Sequence, residues 1–243
     1  MMKHLGVFID LDGTLYRNSL MLEHFKKLLK YEIIDPAIWH NIVKDVYQDW
    51  DKRRGNFEDY LLEVAEIYLK SMKGLNKQEM EFINTQIIEL KGDRVYRYTR
   101  DRIEWHKKMG HKVFFISGSP DYLVSKMAEK YGATDYRATT YIVDDEGNFT
   151  GEISPMWDSE NKHKSIKDLV EKYDIDLKES YAYGDTQGDF AMLKQVGNPV
   201  AINPASELLF NIKRDEELAK IATIIIERKD VIYKLTANVE VIN

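Results

Sequence analysis

The chain contains no cysteine. That excludes disulfides, thiolate-ligated zinc and a cysteine nucleophile, and it fits a reducing compartment. Positive charge is not in surplus: 35 lysines and arginines stand against 41 aspartates and glutamates, a formal net charge of −6. Electrostatics therefore offer no general attraction to nucleic acid. No apolar run approaches the roughly 20 residues that cross a bilayer, and Asp10 interrupts the first apolar stretch too early for a secretion signal. These absences lead to the expectation of a cytoplasmic chain with no membrane partner, no nucleic-acid partner and no obligate protein partner. A nucleotide-binding P-loop is missing too, because no G-x-x-x-x-G-K-[ST] occurs. Nor is there an internal repeat or a low-complexity segment. What the chain does have is 243 residues, 44% of them hydrophobic, enough for one domain with a substantial insertion.

Three short apolar runs read as buried parallel strands: Leu5–Leu11, Lys112–Ser117 and Ser180–Gly184. Each ends in a polar or glycine-bearing turn and is followed by helical sequence. That alternation predicts an α/β fold, a Rossmann-like parallel sheet with helices on both faces. Pro199–Ile202 and Ala222–Ile226 are further strand candidates. Between the first two strands, about a hundred residues carry helical rather than strand periodicity, over Leu20–Tyr31, Ile38–Asp51, Phe57–Ser71 and Lys77–Leu90. This is too long for an ordinary crossover. The expectation is an inserted all-helical cap at 17–92, with the catalytic core formed by 1–16 and 93–243. Arg94–Met109 would be a core helix, and Tyr141–Thr150 a β-hairpin.

Chemistry concentrates at the ends of the three main strands. Asp10-Leu11-Asp12-Gly13-Thr14 follows the first, where open α/β sheets bind ligands. Two carboxylates this close repel unless a cation or a shared proton holds them. Ser117-Gly118-Ser119-Pro120-Asp121 follows the second. Ser119 reads there as a helix N-cap with Pro120 at the first helical position, a start that favours an anion. Gly184-Asp185-Thr186-Gln187-Gly188-Asp189 follows the third, and Lys162 and Lys164 compete for a place in the helix just before it. Acids gathered at one sheet edge, all offering oxygen, suit Mg2+.

Together, DLDGT at 10–14, SGS at 117–119, the lysine at 162 and GDTQGD at 184–189 resemble the four motifs of the haloacid dehalogenase superfamily. The likeness is greatest to its phosphoserine-phosphatase-like branch, the HAD-IB hydrolases, whose helical cap follows the first strand. It covers the whole chain and selects Lys162 over Lys164. The resemblance implies a Mg2+-dependent phosphomonoesterase acting on a small phosphorylated metabolite. By the same resemblance, Asp10 is the nucleophile, Asp12 the general acid and base, and Lys162 the charge-balancing group. Thr14, Ser117, Gly118 and Lys162 contact the phosphate. Asp10, Asp12 (through its backbone carbonyl), Asp185 and Asp189 form or back the metal shell, and the crossings near Tyr16–Asn18 and Lys91–Asp93 are the cap's hinges.

Position 12 argues against carbon-attacking dehalogenase chemistry, since a halide needs no proton. Phosphoserine phosphatases hold the amino acid with an acid and a cap arginine. Ser19 and Leu61-Leu62-Glu63-Val64 stand at those places, so the resemblance does not extend to phosphoserine as substrate. Arg17, Arg53, Arg54, Tyr16, Tyr60 and Trp50 are candidates for another pocket, including an aromatic cage for a quaternary ammonium. Two other functions remain open: a phosphotransferase or mutase using the same aspartyl-phosphate, and a non-catalytic binding module.

Overall fold

The computed structural model describes residues 3–52, 54 and 57–242, without the side chains of residues 46 and 57–59. Arg53 lies outside the described residues. The chain forms two compact units, one of Met1–Ser19, Gly92–Thr140 and Pro155–Asn243, the other of Leu20–Lys91 and Tyr141–Ser154.

The first unit begins with β1 (Gly6–Ile9) and resumes with α5 (Arg97–Lys108), β2 (Lys112–Pro120) and α6 (Asp121–Tyr131). Strand β3 (Asp135–Val143) begins here and ends in the second unit. The chain returns through α7 (Ser159–Tyr173), β5 (Tyr181–Gly184), a 3-10 turn (Gln187–Asp189) running into α8 (Phe190–Lys194), β6 (Asn198–Ile202), α9 (Ser206–Arg214), α10 (Leu218–Ile221), β7 (Thr223–Arg228) and β8 (Val231–Thr236). With β4 (Phe149–Ser154), the strand order is β4-β3-β2-β1-β5-β6-β7-β8. Strand β1 pairs in parallel with both β2 and β5, Ile9 lying opposite Phe115 and Tyr183. Only β8 is antiparallel to its neighbour β7 among the pairs with described register.

The period-2 alternation shows why both faces are covered. Phe8, Phe114, Ile116 and Ala182 pack with Ile166 and Leu169 of α7 and Met192 and Leu193 of α8; the Phe8 and Phe114 rings stack at 5.3 Å. The alternate residues Val7, Ile9, Val113 and Phe115 are buried as well. Near-continuous apolar strands of this kind are the mark of a parallel sheet covered by helices on both sides. The expected α/β class is borne out.

The second unit contains α1 (Leu20–Lys30), a π-turn (Trp39–Val43) leading into α2 (Lys44–Asp51), α3 (Phe57–Met72) and α4 (Glu81–Lys91). The continuous helix expected over Ile38–Asp51 is thus a π-turn joined to a shorter α-helix. The unit is not wholly helical, because Tyr141–Ser154, with the end of β3 and all of β4, belongs to it rather than to the expected core of 93–243. Its backbone bonds to the α3–α4 connection account for this: Gly74 and Lys77 N–H donate to the Phe149 and Gly147 carbonyls at 2.8 and 2.9 Å, and Phe149 N–H donates to Leu75 at 2.9 Å. Tyr68, Tyr141 and Phe149 then continue the aromatic core, with ring centroids 5.8 and 6.2 Å apart. Two of the candidates for an aromatic cage, Trp50 and Tyr60, lie in this unit. They stack face to face at 5.5 Å and 8°, too close to admit an ammonium between the two rings, and the Lys26 ammonium stands 5.5 Å from the neighbouring Tyr47 ring.

Candidate active site

The site lies wholly within the first unit, at the carboxyl ends of β1, β2 and β5. Asp10 extends the β1 ladder, its N–H donating to the Tyr183 carbonyl at 3.0 Å. The chain then turns sharply at Gly13, whose φ of +87° is open to glycine at little cost. A Cβ there would also sit 2.0 Å from Asp185 Oδ2, so the motif needs glycine for its conformation and for the close approach.

Asp10, Asp185 and Asp189 each present a carboxylate oxygen within 4.8 Å of the others. Lys162 enters between two of them, its Nζ donating to Asp10 Oδ1 at 2.8 Å and to Asp189 Oδ1 at 2.6 Å. Lys162, Asp10 and Asp189 are 3%, 5% and 0% exposed, so this is a buried charge cluster rather than a surface ion pair. The Asp158 side chain accepts from the Asn161 N–H at 2.9 Å, fixing the start of α7 and hence the turn from which Lys162 projects. Lys164 is solvent-exposed and pairs with Glu160 at 2.7 Å, so the structure places Lys162, not Lys164, at the site.

Three carboxylates and one ammonium leave two negative charges in excess. Burial pushes the Asp10 and Asp185 carboxyls above the ordinary carboxylate range, and neighbouring acids push the same way. Burial opposes the charge on Lys162, but Asp10 and Asp189 outweigh it and hold the ammonium above the usual lysine value. An all-oxygen donor set short of two positive charges fits a hard divalent cation.

Asp189 spends its second oxygen on its own loop. Oδ2 accepts from the Asp185 and Thr186 N–H groups at 3.0 and 3.1 Å and so shapes the turn that carries Asp185. Thr14, expected to contact phosphate, instead donates its hydroxyl to Asp185 Oδ1 at 2.8 Å. Thr99, which the sequence reading did not single out, donates to the Thr14 carbonyl at 2.7 Å. Beside Asp185 lie Tyr96, whose hydroxyl is raised by burial and then by that carboxylate, and Arg17, 5.9 Å above the Tyr96 ring.

The second motif differs from its expected local structure. Ser119 does not cap α6; Pro120 occupies the cap position, no side chain caps it, and Asp121 opens the helix. The pairing of β2 with β3 shifts register between Ser117 and Pro120, so Gly118 and Ser119 bulge out of the ladder. Ser119 N–H donates to Ser117 Oγ at 3.1 Å, and Ser119 Oγ donates to Asp12 Oδ2 in a short hydrogen bond. Asp12 therefore stands beside the triad and is not one of its three members. Gly118 lies under the Trp157 backbone, where a Cβ would come within 2.9 Å of Trp157 Cβ.

The profile of the haloacid dehalogenase-like hydrolases matches residues 7–194. The chain belongs to that family. Among its relatives is a Mycobacterium tuberculosis protein named probable phosphatase Rv3661, 32% identical over 201 residues, 82% of this chain and 69% of the relative. A Streptomyces azureus protein named for inhibition of morphological differentiation is 29% identical over 217 residues, 88% of this chain and 76% of that one. Among solved structures, a phospho-aspartyl intermediate analogue of phosphoserine phosphatase shares the fold with a TM-score of 0.61 and 24% identity, covering 94% of this chain and 96% of its own. This haloacid dehalogenase-like hydrolase thus has relatives that bear the name phosphatase and shares its fold with phosphoserine phosphatases. Among the described residues, none of its helices is long and apolar enough to cross a membrane.

Proposed function

We propose that this hydrolase is a magnesium-dependent phosphomonoesterase that cleaves a small phosphorylated metabolite through a phosphoryl-aspartate on Asp10. The observation that carries the reading is the pairing of Asp10 with buried Lys162 inside an acidic triad two charges short of neutral. Asp10, Asp185 and the backbone carbonyl of Asp12 would hold the ion, with Asp189 behind them. The ion supplies charge neutralisation for an anionic nucleophile approaching an anionic phosphate.

The chain's own groups divide the remaining work. Ser117 and Gly118 receive phosphoryl oxygens at the bulged end of β2, and Lys162 balances charge on the nucleophile. An Asp10 oxygen attacks phosphorus while Asp12 gives its proton to the departing alkoxide. In the second half-reaction Asp12 takes a proton from the water that attacks phosphorus, and Asp10 leaves as a carboxylate. Thr14 and Asp189 hold Asp185 in place and touch no reacting atom in this scheme.

Ser19 and Leu61–Val64 stand where phosphoserine phosphatases carry their amino-acid-binding acid and arginine, so the substrate we propose is a phosphate ester other than phosphoserine. We assign the helical unit the family's cap role, the choice of substrate. A panel of phosphorylated metabolites, read as inorganic phosphate released with Mg2+ and with EDTA, tests the proposal. Magnesium-dependent release from the wild type, with label trapped on the protein and absent from Asp10→Asn, is the expected result. Release unaffected by EDTA, or label retained by Asp10→Asn, overturns it. Phosphate appearing on an added acceptor alcohol instead of in solution would make the enzyme a phosphotransferase.

A further inference from the structure

We propose that Ser119 is a positioning residue for the general acid: its hydroxyl fixes the Asp12 carboxyl so that one defined oxygen carries the proton to the leaving group. The inference rests on the phosphomonoesterase reading above.

Three observations converge on it. Ser119 is 2% exposed, so its hydroxyl is not satisfied by bulk solvent. It donates to Asp12 Oδ2, a residue 107 positions away in sequence and on a different strand end. It also sits in the two-residue bulge between Ser117 and Pro120, and bulges beside active sites commonly re-aim a side chain. Without the bulge, strand alternation would continue through Gly118 and Ser119 and their side-chain directions would follow the ladder.

The chemistry follows from donor and acceptor roles. A carboxyl oxygen that accepts the serine O–H is the poorer place for the carboxyl proton, so the proton resides on Oδ1. In the first half-reaction Oδ1–H delivers that proton to the ester oxygen as the P–O bond breaks. Asp12 becomes a carboxylate whose Oδ2 keeps the serine hydrogen bond, stronger now that the acceptor is charged. In the second half-reaction Oδ1 takes a proton from the attacking water, and the carboxyl returns to its starting form. Ser119 donates throughout and exchanges no proton with the substrate.

A group that acts through the acid matters only where the leaving group needs a proton. The test compares kcat/KM of the wild type, Ser119→Ala and Ser119→Thr with Mg2+, on two substrates. One is an alkyl phosphate that the wild type hydrolyses, whose alkoxide must be protonated; the other is p-nitrophenyl phosphate, whose phenolate leaves without a proton. Thermal unfolding of all three proteins monitors folding. Ser119→Ala is expected to lose about 10- to 100-fold on the alkyl ester, the scale of a misplaced catalytic group, and no more than about threefold on the aryl ester. Ser119→Thr, which keeps the hydroxyl, should recover most of the alkyl activity. Equal losses on both esters overturn the proposal, as does full alkyl activity in Ser119→Ala. An unfolded Ser119→Ala passes the decision to Ser119→Thr and Ser119→Cys: alkyl activity that does not follow the hydroxyl overturns it. A wild type that releases phosphate from no alkyl phosphate of the panel and none from p-nitrophenyl phosphate would instead overturn the underlying function.

Discussion

Replacing Asp185 by asparagine should stabilise the metal-free protein while disabling it. The side chain is isosteric and keeps an amide oxygen to accept the Thr14 hydroxyl now bonded to Asp185 Oδ1 at 2.8 Å. What it removes is one of three negative charges whose oxygens lie within 4.8 Å. At that separation each like-charged pair costs about 3 kcal/mol at an effective dielectric near 20. Asp185 faces two such partners, and Lys162 cancels part of the total. The carboxyl can also escape by taking up a proton, which caps the penalty at about 5 kcal/mol near pH 7.5. A gain of about 2–4 kcal/mol remains, some 5–10 °C in the thermal midpoint for a chain of this size.

The pH dependence carries a definite sign. A carboxyl raised in the fold costs stability progressively as pH climbs above its ordinary value of 3.8. In EDTA the advantage of Asp185→Asn should therefore be large at pH 7.5 and below about 2 kcal/mol at pH 5. Magnesium should then raise the midpoint of the wild type more than that of the variant, because binding to the folded state alone stabilises it. Thermal unfolding with and without Mg2+ at the two pH values measures all four quantities. An Asp185→Asn protein less stable than wild type in EDTA at pH 7.5 would refute the charge argument.

Other perturbations follow from the same geometry. Asp10→Asn should lower kcat by at least about three orders of magnitude, some 4 kcal/mol of barrier; a variant keeping a tenth of wild-type phosphate release would remove Asp10 from the nucleophile's role. Lys162→Met leaves the triad's carboxylates without their ammonium and should cost about 3–5 kcal/mol of stability in EDTA, read by urea unfolding, with part recovered on adding Mg2+. Gly13→Ala forces a Cβ into Asp185 at a left-handed φ and should weaken magnesium binding, measured by calorimetry, more than it lowers helix content. His24 is fully buried against the Tyr68 hydroxyl, 2.5 Å from its Nδ1, and burial pushes it down to about 3. A histidine held neutral in the fold contributes stability above its ordinary value of 6.5 that is lost as pH falls toward 3, about 2 kcal/mol by pH 5. In His24→Asn the stability difference between pH 7 and pH 5 should shrink by about that amount.

The catalytic core was legible because its signals are local and strong. Each of β1, β2 and β5 is a short apolar run, and the acids or hydroxyls that follow are fixed to its end by the chain itself. Choosing between Lys162 and Lys164 needed the resemblance, since both stand on the first turns of α7 and only the buried one reaches Asp10. Ser119 was misread for a physical reason. A serine before Pro-Asp looks like a helix cap from sequence, and the bulge that turns its hydroxyl to Asp12 arises from pairing with β3, far along the chain. Thr14 likewise sits inside a recognised motif, but its partner Asp185 is 171 positions away. Strand β8 gave no signal: its exposed Val231 and Tyr233 lie on a sheet edge with little to bury. The hairpin was visible in Asp144–Asn148, but its attachment to the helical unit depends on backbone bonds to residues 74–77 that no periodicity reveals.

The distance between Thr14 and Asp185 also has a temporal meaning. A ribosome adding about 5–20 residues per second needs roughly 10–30 s to travel from one to the other. For most of that interval the nascent protein carries Asp10 without Lys162, and to its end without Asp185 and the turn that Asp189 shapes. The buried cluster of three acids and one lysine is thus complete only once β5 docks beside β1, and a half-made chain lacks it altogether.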